Sequence, residues 1–305
     1  MSGSPRDAMN ILVAGASGFV GGRLCSALDE RGDEVRAMTR HPEDYRGSGT
    51  PVGADVADEG SLRSAAQGCD VAYYLVHSLG TAGFEERDSA MAVRFGTAMA
   101  ESGVSRIVYL GGLGRDDDEL SAHLRSRRQV EGLLGQGGVP VTVLRAGIVV
   151  GHGGISWEIT RQLVEHLPLM VVPRWVHTRT QPIALSDVIR YLVGVLDLPE
   201  TAGRVFEVGG PDVLEYLDML RRVAAIEGRP RLLFPVPVMT PSLSSLWLSL
   251  VTNVDTATGR SLIDSMTNEV VVNDDTIRTL VPFEPMDYDT AVLQALAERA
   301  RDARS

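Results

Sequence analysis

The spacing of apolar residues changes near the middle of the chain. In the first half, short runs rich in β-branched residues alternate with longer stretches in which apolar residues recur every three or four positions. This alternation is typical of βαβ units, in which a helix crosses from each strand to the next parallel strand. We expect strands at 10–14, 34–39, 71–76, 106–110 and 139–145, a short strand near Val52, and helices at 19–31, 61–66, 84–102 and 119–134.

Beyond about residue 150 the elements become shorter and prolines separate them. We interpret residues 1–150 as the core domain and residues 151–305 as an interleaved C-terminal lobe, some of whose strands return to the sheet. The pattern predicts an α/β protein with a doubly wound, mostly parallel sheet and a small C-terminal lobe. In the second half we expect strands at 181–185, 205–208 and 268–273, a helix capped by Ser186, a helix opened by Asp212 and Glu215 at capping-box spacing, and a tail helix from Asp289.

The first predicted strand runs into three glycines, spaced three residues apart, and then into a helix. In the segment Gly15-Ala-Ser-Gly-Phe-Val-Gly21, Gly15 permits a tight turn, Gly18 lets the backbone approach a pyrophosphate, and Gly21 allows the helix to pack closely on the strand. The N–H groups at the start of the helix then face the phosphates. The segment predicts the dinucleotide-binding core of a Rossmann fold, and the alternative is a purely structural turn.

The ends of the next two strands indicate which dinucleotide binds. An NAD site places a carboxylate on the ribose at the end of the second strand, whereas this sequence has Arg40 there and no acid. Because a guanidinium can clamp a 2′-phosphate, we expect NADP(H) to be preferred over NAD(H); the alternative is a solvated surface arginine. Asp55, after the third strand, could accept the adenine amino group or simply cap a turn.

Charge and cysteine content exclude several classes of partner. The chain has 29 Lys and Arg against 40 Asp and Glu, a net charge of −11, so we expect no binding to nucleic acid. Cys25 and Cys69 have no spacing that could hold a metal or form a disulfide framework, which fits a reducing cytoplasm. The N-terminal segment before the first predicted strand is short and polar, so we expect no signal peptide.

One long segment, residues 232–254, contains no charged side chain. Three prolines interrupt its first half and leave about ten residues of continuous helix, which is too short to cross a bilayer. We expect no transmembrane segment. A buried or pocket-covering helix and a surface that touches lipid are the two interpretations left open.

Six further segments extend the pattern: 73–78 (YYLVHS), 106–112 (RIVYLGG), 123–127 (HLRSR), 144–148 (LRAGI), 180–183 (TQPI) and 206–211 (FEVGGP). With the glycine segment, they resemble the atypical short-chain dehydrogenases/reductases of the NmrA-like, NAD(P)H-binding kind. The resemblance implies that a basic residue after the second strand selects NADP and that the tip of the fourth strand lies along the ribose. The expected cofactor contacts are Gly15, Ser17, Gly18, Phe19, Val20, Gly21, Arg40, Asp55, Val56, Leu75, Val76, His77 and Arg127.

The expected catalytic residues depart from the better-known reductases of this superfamily, which carry a serine and a Tyr-x-x-x-Lys pair. Here the serine position falls on Gly111 or Gly112, and the pair aligns with His123 and Arg127. Residues four apart share a helix face, so His123 could protonate a carbonyl oxygen while Arg127 holds the ribose and depresses the histidine pKa. The alternative is a structural histidine.

These features favour a cytoplasmic NADP(H)-dependent oxidoreductase that reduces a hydrophobic carbonyl or quinone-like small molecule. The apolar 232–254 segment suggests the substrate class, because pockets for such compounds are mainly apolar. The chief alternative is a protein that binds NADP(H) as a sensor, regulator or structural element without turnover, which the loss of serine, tyrosine and lysine favours. An epimerase or isomerase is a third interpretation. The oligomeric state stays open.

Overall fold

A parallel sheet of seven strands forms the centre of the protein. The computed structural model describes residues 8–78, 81, 83–115, 118–167, 169–172, 174–229, 231–235 and 256–304. The strands of this sheet are β1 (Asn10–Ala14), β2 (Glu34–Thr39), β3 (Thr50–Gly53), β4 (Val71–Tyr74), β5 (Arg106–Gly112), β6 (Val141–Ala146) and β11 (Val205–Val208). Their order in the sheet is β11-β6-β5-β4-β1-β2-β3.

Helices cover both faces of this sheet. The alternation of side chains along β1 sends Ile11 and Val13 to one face and Leu12 and Ala14 to the other, so that each face carries its own apolar cluster. The helices are α1 (Phe19–Glu30), α2 (Glu59–Ala66), α3 (Phe84–Glu101), α4 (Ala122–Leu134) and α6 (Leu185–Gly194). Helices α1 and α6 pack on one face, and α2, α3 and α4 pack on the other.

The remaining elements build a smaller lobe around a separate apolar cluster, which contains Trp157, Tyr216 and Val292. Its elements are β7 (Val149–Val150), α5 (Ile155–His166), β8 (Leu169–Val172), β9 (Arg179–Thr180), β10 (Ile183–Ala184), β12 (Leu214–Glu215), α7 (Tyr216–Ile226), β13 (Leu232–Pro235), α8 (Thr256–Ser265) and α10 (Tyr288–Asp302). Three two-stranded ribbons, β7 with β10, β9 with β12 and β8 with β13, belong to it. One more helix, α9 (Thr276–Leu280), packs instead on the core of the main sheet through Ile277.

The predicted fold class is confirmed, and the first half follows the predicted elements closely. β1 and β2 have the predicted bounds, whereas β4 ends at Tyr74, two residues early. α4 begins at Ala122 and not near Glu119, because the Ser121 hydroxyl accepts a hydrogen bond from the Leu124 N–H (3.3 Å) and caps the helix. β11 returns from the lobe to the edge of the main sheet beside β6. The division at residue 150 stays a prediction.

Three predictions in the lobe were wrong. The helix expected from Asp212 begins at Tyr216, since Leu214–Glu215 pairs with β9 and the Asp212 carboxylate accepts the Tyr288 N–H (2.8 Å) at the start of α10. Ser186 is not a cap, because α6 already begins at Leu185. The strand expected at 268–273 is reduced to one bridge between Thr180 and Val270.

The uncharged 232–254 segment is described only as far as residue 235, and its remainder lies outside the described residues. Among the helices that the structure does describe, none combines the length and the apolar character that crossing a bilayer requires.

Candidate functional site

The glycine segment forms the turn between β1 and α1, and its geometry depends on two glycines. Gly15 has φ +89°, a left-handed conformation that side chains disfavour. A Cβ at Gly21 would lie 2.0 Å from the Gly15 carbonyl oxygen, so a larger residue there would force the helix off the strand. The Gly18 N–H donates to the Gly15 carbonyl (2.9 Å) and closes the turn.

The N-terminus of α1 is open to an anion. Gly18 occupies the cap position, no side chain of the described residues caps the helix, and its first turn contains no acid. The unpaired N–H groups and the positive end of the helix dipole therefore point out of the fold. Ser17 and Gly18 are exposed, and Phe19 and Val20 are half-buried. This turn fits a pyrophosphate group.

Arg40 lies just beyond β2 and is exposed. No acidic group in the described part of the chain forms an ion pair with it. Asp55 follows β3, and its carboxylate accepts the Ala57 N–H (2.9 Å), as expected of a turn residue, while the residue itself is exposed. Val56 packs in the core and is 8% exposed. The adenine contact of Asp55 and Val56 stays a prediction.

The tip of β4 lies against the glycine turn. The Leu75 N–H donates to the Ala14 carbonyl (3.0 Å), and the Leu75 carbonyl oxygen would lie 3.0 Å from a Cβ at Gly15. Beyond the tip, the buried Asp88 of α3 accepts hydrogen bonds from the Ser78 N–H (2.9 Å) and the Ser78 hydroxyl (2.6 Å). Asp88 thus fixes the loop that carries Leu75, Val76 and His77.

A cavity of about 330 Å³ opens beside this turn, between the carboxyl ends of β5 and β6 and the C-terminal lobe. Ligands of doubly wound sheets bind at this edge. Most of the lining is apolar, and Phe19 of the glycine turn forms part of it. The lining also includes Leu113, Ile148, Ile155, Tyr216, Leu262, Met266 and Val270, together with His77, His123 and Arg127.

The structure brings His77, His123 and Arg127 together on one wall of the cavity. Burial, then the charge of Arg127 and the proximity of His77, lower the pKa of His123 to about 3. Crowding by protein atoms and the charge of Arg127 lower the pKa of His77 to about 4, although this residue is exposed at the cavity mouth, where solvent weakens the effect. Both imidazoles are neutral at pH 7.

Arg127 is held in place by β5. Its guanidinium donates to the Leu110 carbonyl and lies over the Tyr109 ring, 5.1 Å from the centroid. Such contacts fix the side chain at the end of β5 while it still lines the cavity. The sequence therefore placed His123 and Arg127 correctly on one helix face, and their roles toward a cofactor or substrate stay predictions.

The position expected for a catalytic serine has no room for one at Gly111. A Cβ there would lie 2.8 Å from Oε1 of Glu131. The Glu131 carboxylate accepts hydrogen bonds from Nε (3.1 Å) and Nη2 (2.7 Å) of Arg145, and both side chains are largely buried. At Gly112 a Cβ would meet Leu124 Cδ2 at 3.0 Å, the movable end of a side chain. An ion pair thus fills the space beside Gly111.

Sequence reasoning missed Asp88, Glu131 and Tyr216. Asp88 shares the buried face of α3 with Met91, Ala92 and Phe95, and an acid on an apolar helix face was a usable signal. Tyr216 stands among apolar residues of the lobe, and its place in the cavity depends on a ribbon that no local pattern indicates.

Comparison with known proteins agrees with this geometry. Residues 15–173 match the family described as NAD(P)H-binding. An uncharacterised protein of Mycobacterium tuberculosis strain H37Rv is 30% identical over 237 residues, which cover 77% of this chain and 25% of that protein. The chain thus spans a quarter of the length of this relative.

Two further proteins are similar over most of the chain. Subunit 9 of the NADH dehydrogenase (ubiquinone) 1 alpha subcomplex, mitochondrial, of Arabidopsis thaliana is 25% identical over 218 residues, which cover 66% of this chain and 54% of that protein. The NADPH-dependent quinone oxidoreductase of Escherichia coli, solved with NADPH, superposes with a TM-score of 0.76 at 17% identity, covering 94% of this chain and 100% of that chain. At this identity the structural likeness shows the fold alone.

Proposed function

The chain belongs to the NAD(P)H-binding family of atypical short-chain dehydrogenases/reductases, and from this premise we propose that it is an NADP(H)-dependent reductase of a hydrophobic carbonyl or quinone-like compound. The observation that carries the proposal is the apolar cavity of about 330 Å³ that begins at Phe19 of the glycine turn. A cavity of this size and character suits a small apolar substrate held by a few polar groups.

The cofactor site fits a phosphorylated dinucleotide. The open N-terminus of α1 would hold the pyrophosphate, and the exposed Arg40 would bind the 2′-phosphate. When bound, the reduced nicotinamide supplies a hydride, and each carbonyl converted to an alcohol also consumes one proton. Leu75, Val76 and His77 would border the ribose, and the hydrogen bond from the Leu75 N–H to the Ala14 carbonyl, which holds the tip of β4 against the glycine turn, supports this role.

The wall formed by His77, His123 and Arg127 would orient the reacting end of the substrate. Because both imidazoles are neutral, His123 would act through a neutral N–H, which donates a hydrogen bond but gives up its proton poorly. Arg127 would supply the permanent positive charge near the site. The quinone oxidoreductase with the same fold supports a quinone-like substrate by analogy alone.

A second candidate function is binding of NADP(H) without turnover. The ion pair of Glu131 and Arg145 that fills the space beside Gly111 favours it, since the site lacks the serine of the better-known reductases and has no room for one at Gly111. For either function we propose a cytoplasmic location.

The test is oxidation of NADPH, followed at the nicotinamide absorbance, with a panel of hydrophobic quinones, aldehydes and enones. We expect at least one quinone or carbonyl compound to be reduced. His123→Phe should then lower turnover while NADPH affinity changes little, because the residue faces the cavity rather than the glycine turn. Binding of NADPH without oxidation across the whole panel would instead support the second candidate.

A further inference from the structure

Tyr216 lines the cavity and belongs to the C-terminal lobe, whereas His77 and His123, which also line it, belong to the core. It is the first residue of α7 and directly follows β12, whose residues Leu214 and Glu215 pair with Thr180 and Arg179 of β9. The edge of the Trp175 ring system meets the Tyr216 ring at a centroid distance of 5.9 Å and an interplanar angle of 86°. The ribbon and Trp175 thus fix a ring that is only 7% exposed.

A second hydroxyl lies behind this phenol. Thr180 is fully buried, and its Oγ1 has no hydrogen bond of normal geometry within the described structure. The same atom would lie 3.7 Å from a Cβ at Gly147, a residue of the cavity wall. The Thr180 hydroxyl adjoins the Tyr216 phenol and acts on it as a hydrogen-bonding neighbour, so it is placed to orient that phenol.

The phenol is available as a donor at neutral pH. Burial raises the pKa of Tyr216 above its usual range, and the adjoining Thr180 hydroxyl only partly opposes this. Ser265, another hydroxyl on the lobe side of the cavity, already donates to the Ser261 carbonyl (2.8 Å) and pairs with the Ser121 hydroxyl (3.0 Å). The neighbouring lobe residues Leu262 and Met266 offer no hydrogen-bond donor from their side chains.

We propose that the Tyr216 phenol donates the hydrogen bond that holds the carbonyl oxygen of the substrate, and that Thr180 is a positioning residue that orients the phenol. The proposal rests on the proposed function, and it defines the substrate end that enters the cavity as an uncharged C=O group on an apolar ring system. A donor fixed at this oxygen also stabilises the negative charge that gathers there during reduction. The lobe thereby provides what the missing tyrosine of α4 does not.

The experiment compares two probes that differ only in the oxygen: 1-tetralone, a bicyclic ketone, and tetralin, the same ring system without the carbonyl. Affinities are measured by ligand-detected NMR on the full chain saturated with NADP⁺, so that no turnover occurs. We expect tetralone to bind about three- to tenfold more tightly than tetralin, as one net hydrogen bond provides. Tyr216→Phe should abolish this preference, and Thr180→Val should reduce it.

Tyr288→Phe is the matched control, because Tyr288 is 3% exposed and its hydroxyl likewise has no hydrogen-bond partner in the described part of the chain, yet it does not line the cavity. This variant should keep the preference. If Tyr216→Phe keeps it too, the donor is another cavity group such as Ser156 and the proposal is wrong; it is equally wrong if wild-type protein does not bind tetralone or does not favour it over tetralin.

The two proposals fail separately. If Tyr216→Phe loses the preference for the ketone but no compound of the panel oxidises NADPH, the role of Tyr216 as carbonyl donor is supported and the reductase function is rejected. If the wild type oxidises NADPH but Tyr216→Phe keeps the preference for tetralone over tetralin, the reductase function is supported and the role of Tyr216 as carbonyl donor is rejected. If both proposals are correct, Tyr216→Phe lowers kcat for the reduced substrate by a larger factor than it raises KM, because the negative charge on the carbonyl oxygen is greatest in the transition state.

Discussion

Arg40 and Arg46 are exposed arginines six positions apart that differ in what their guanidinium groups contact. Arg46 donates to the carbonyl oxygens of Glu43 and Tyr45, at 2.7 and 2.9 Å, and so serves its own loop. Arg40, at the end of β2, has no acidic partner among the described residues. Within the described residues, the Arg40 guanidinium is therefore committed neither to a carboxylate nor to its own loop, and it lies at the strand end beside which a Rossmann fold places the ribose of a dinucleotide.

We predict that Arg40→Ala removes a preference for NADPH over NADH of about tenfold or more in the wild type, since a fork of donors on a 2′-phosphate is a charge-assisted contact. Titration of both dinucleotides, followed by fluorescence, measures the ratio of the two dissociation constants. Arg46→Ala is the control and should keep the ratio. Equal affinities in the wild-type protein would contradict the assignment.

At the scale of elements, the outcome of prediction depended on whether an element is specified locally. β1 and β2 are buried runs bounded by turn residues, and the sequence predicts them to the residue. β9 and β12 contain two residues each and are defined by their mutual pairing, Leu214 with Thr180 and Glu215 with Arg179, which no local pattern encodes. The spacing of Asp212 and Glu215 satisfied a capping box, but the Asp212 carboxylate instead accepts the Tyr288 N–H at the start of the distant α10, whose cap residue is Asp287.

The same distinction holds in the candidate site. The glycine turn and the shared face of His123 and Arg127 follow from spacing within one turn or one helix. The contents of the space beside Gly111 do not, because they depend on how α4 and β6 pack: Glu131 comes from the helix and Arg145 from the strand. The sequence shows that the serine is absent, but it does not predict the ion pair that fills the space beside Gly111.

We predict that Gly111→Ser destabilises the protein by about 1–3 kcal/mol and does not raise turnover, because the added side chain displaces the Glu131 carboxylate from Arg145. Gly132→Ser, on the exposed side of α4, is the matched control, since a Cβ there meets no atom within 4 Å. Chemical denaturation gives the free energy of unfolding of both variants. A Gly111→Ser protein as stable as Gly132→Ser would show that the ion pair does not constrain this position.

At the scale of the whole molecule, the C-terminal lobe closes one side of the cavity and so helps to bury imidazoles that belong to the core. The pKa of His123 is lowered to about 3 in the folded protein, by burial first and by the charge of Arg127 second. In an unfolded chain a histidine titrates near its ordinary value of about 6.5. Between these two pH values the unfolded state binds more protons than the folded state, so protonation favours unfolding.

We therefore predict that the free energy of unfolding falls as the pH falls from about 6.5 toward 3, with His123 contributing up to about 1.4 kcal/mol per pH unit and the more exposed His77 contributing less. His123→Phe should flatten this dependence, as urea denaturation of the cofactor-free protein at pH 7.0 and 5.0 would measure. His41→Phe, which removes an imidazole whose side chain is 68% exposed, should leave the slope as in the wild type. If His123→Phe also left it unchanged, the imidazole would have to be hydrated in the folded protein, and the lobe would not seal this wall of the cavity. If the dependence of the free energy of unfolding on pH flattens only in His123→Phe, the loss of stability at acid pH arises at the cavity wall of His77, His123 and Arg127, which the proposed substrate must contact.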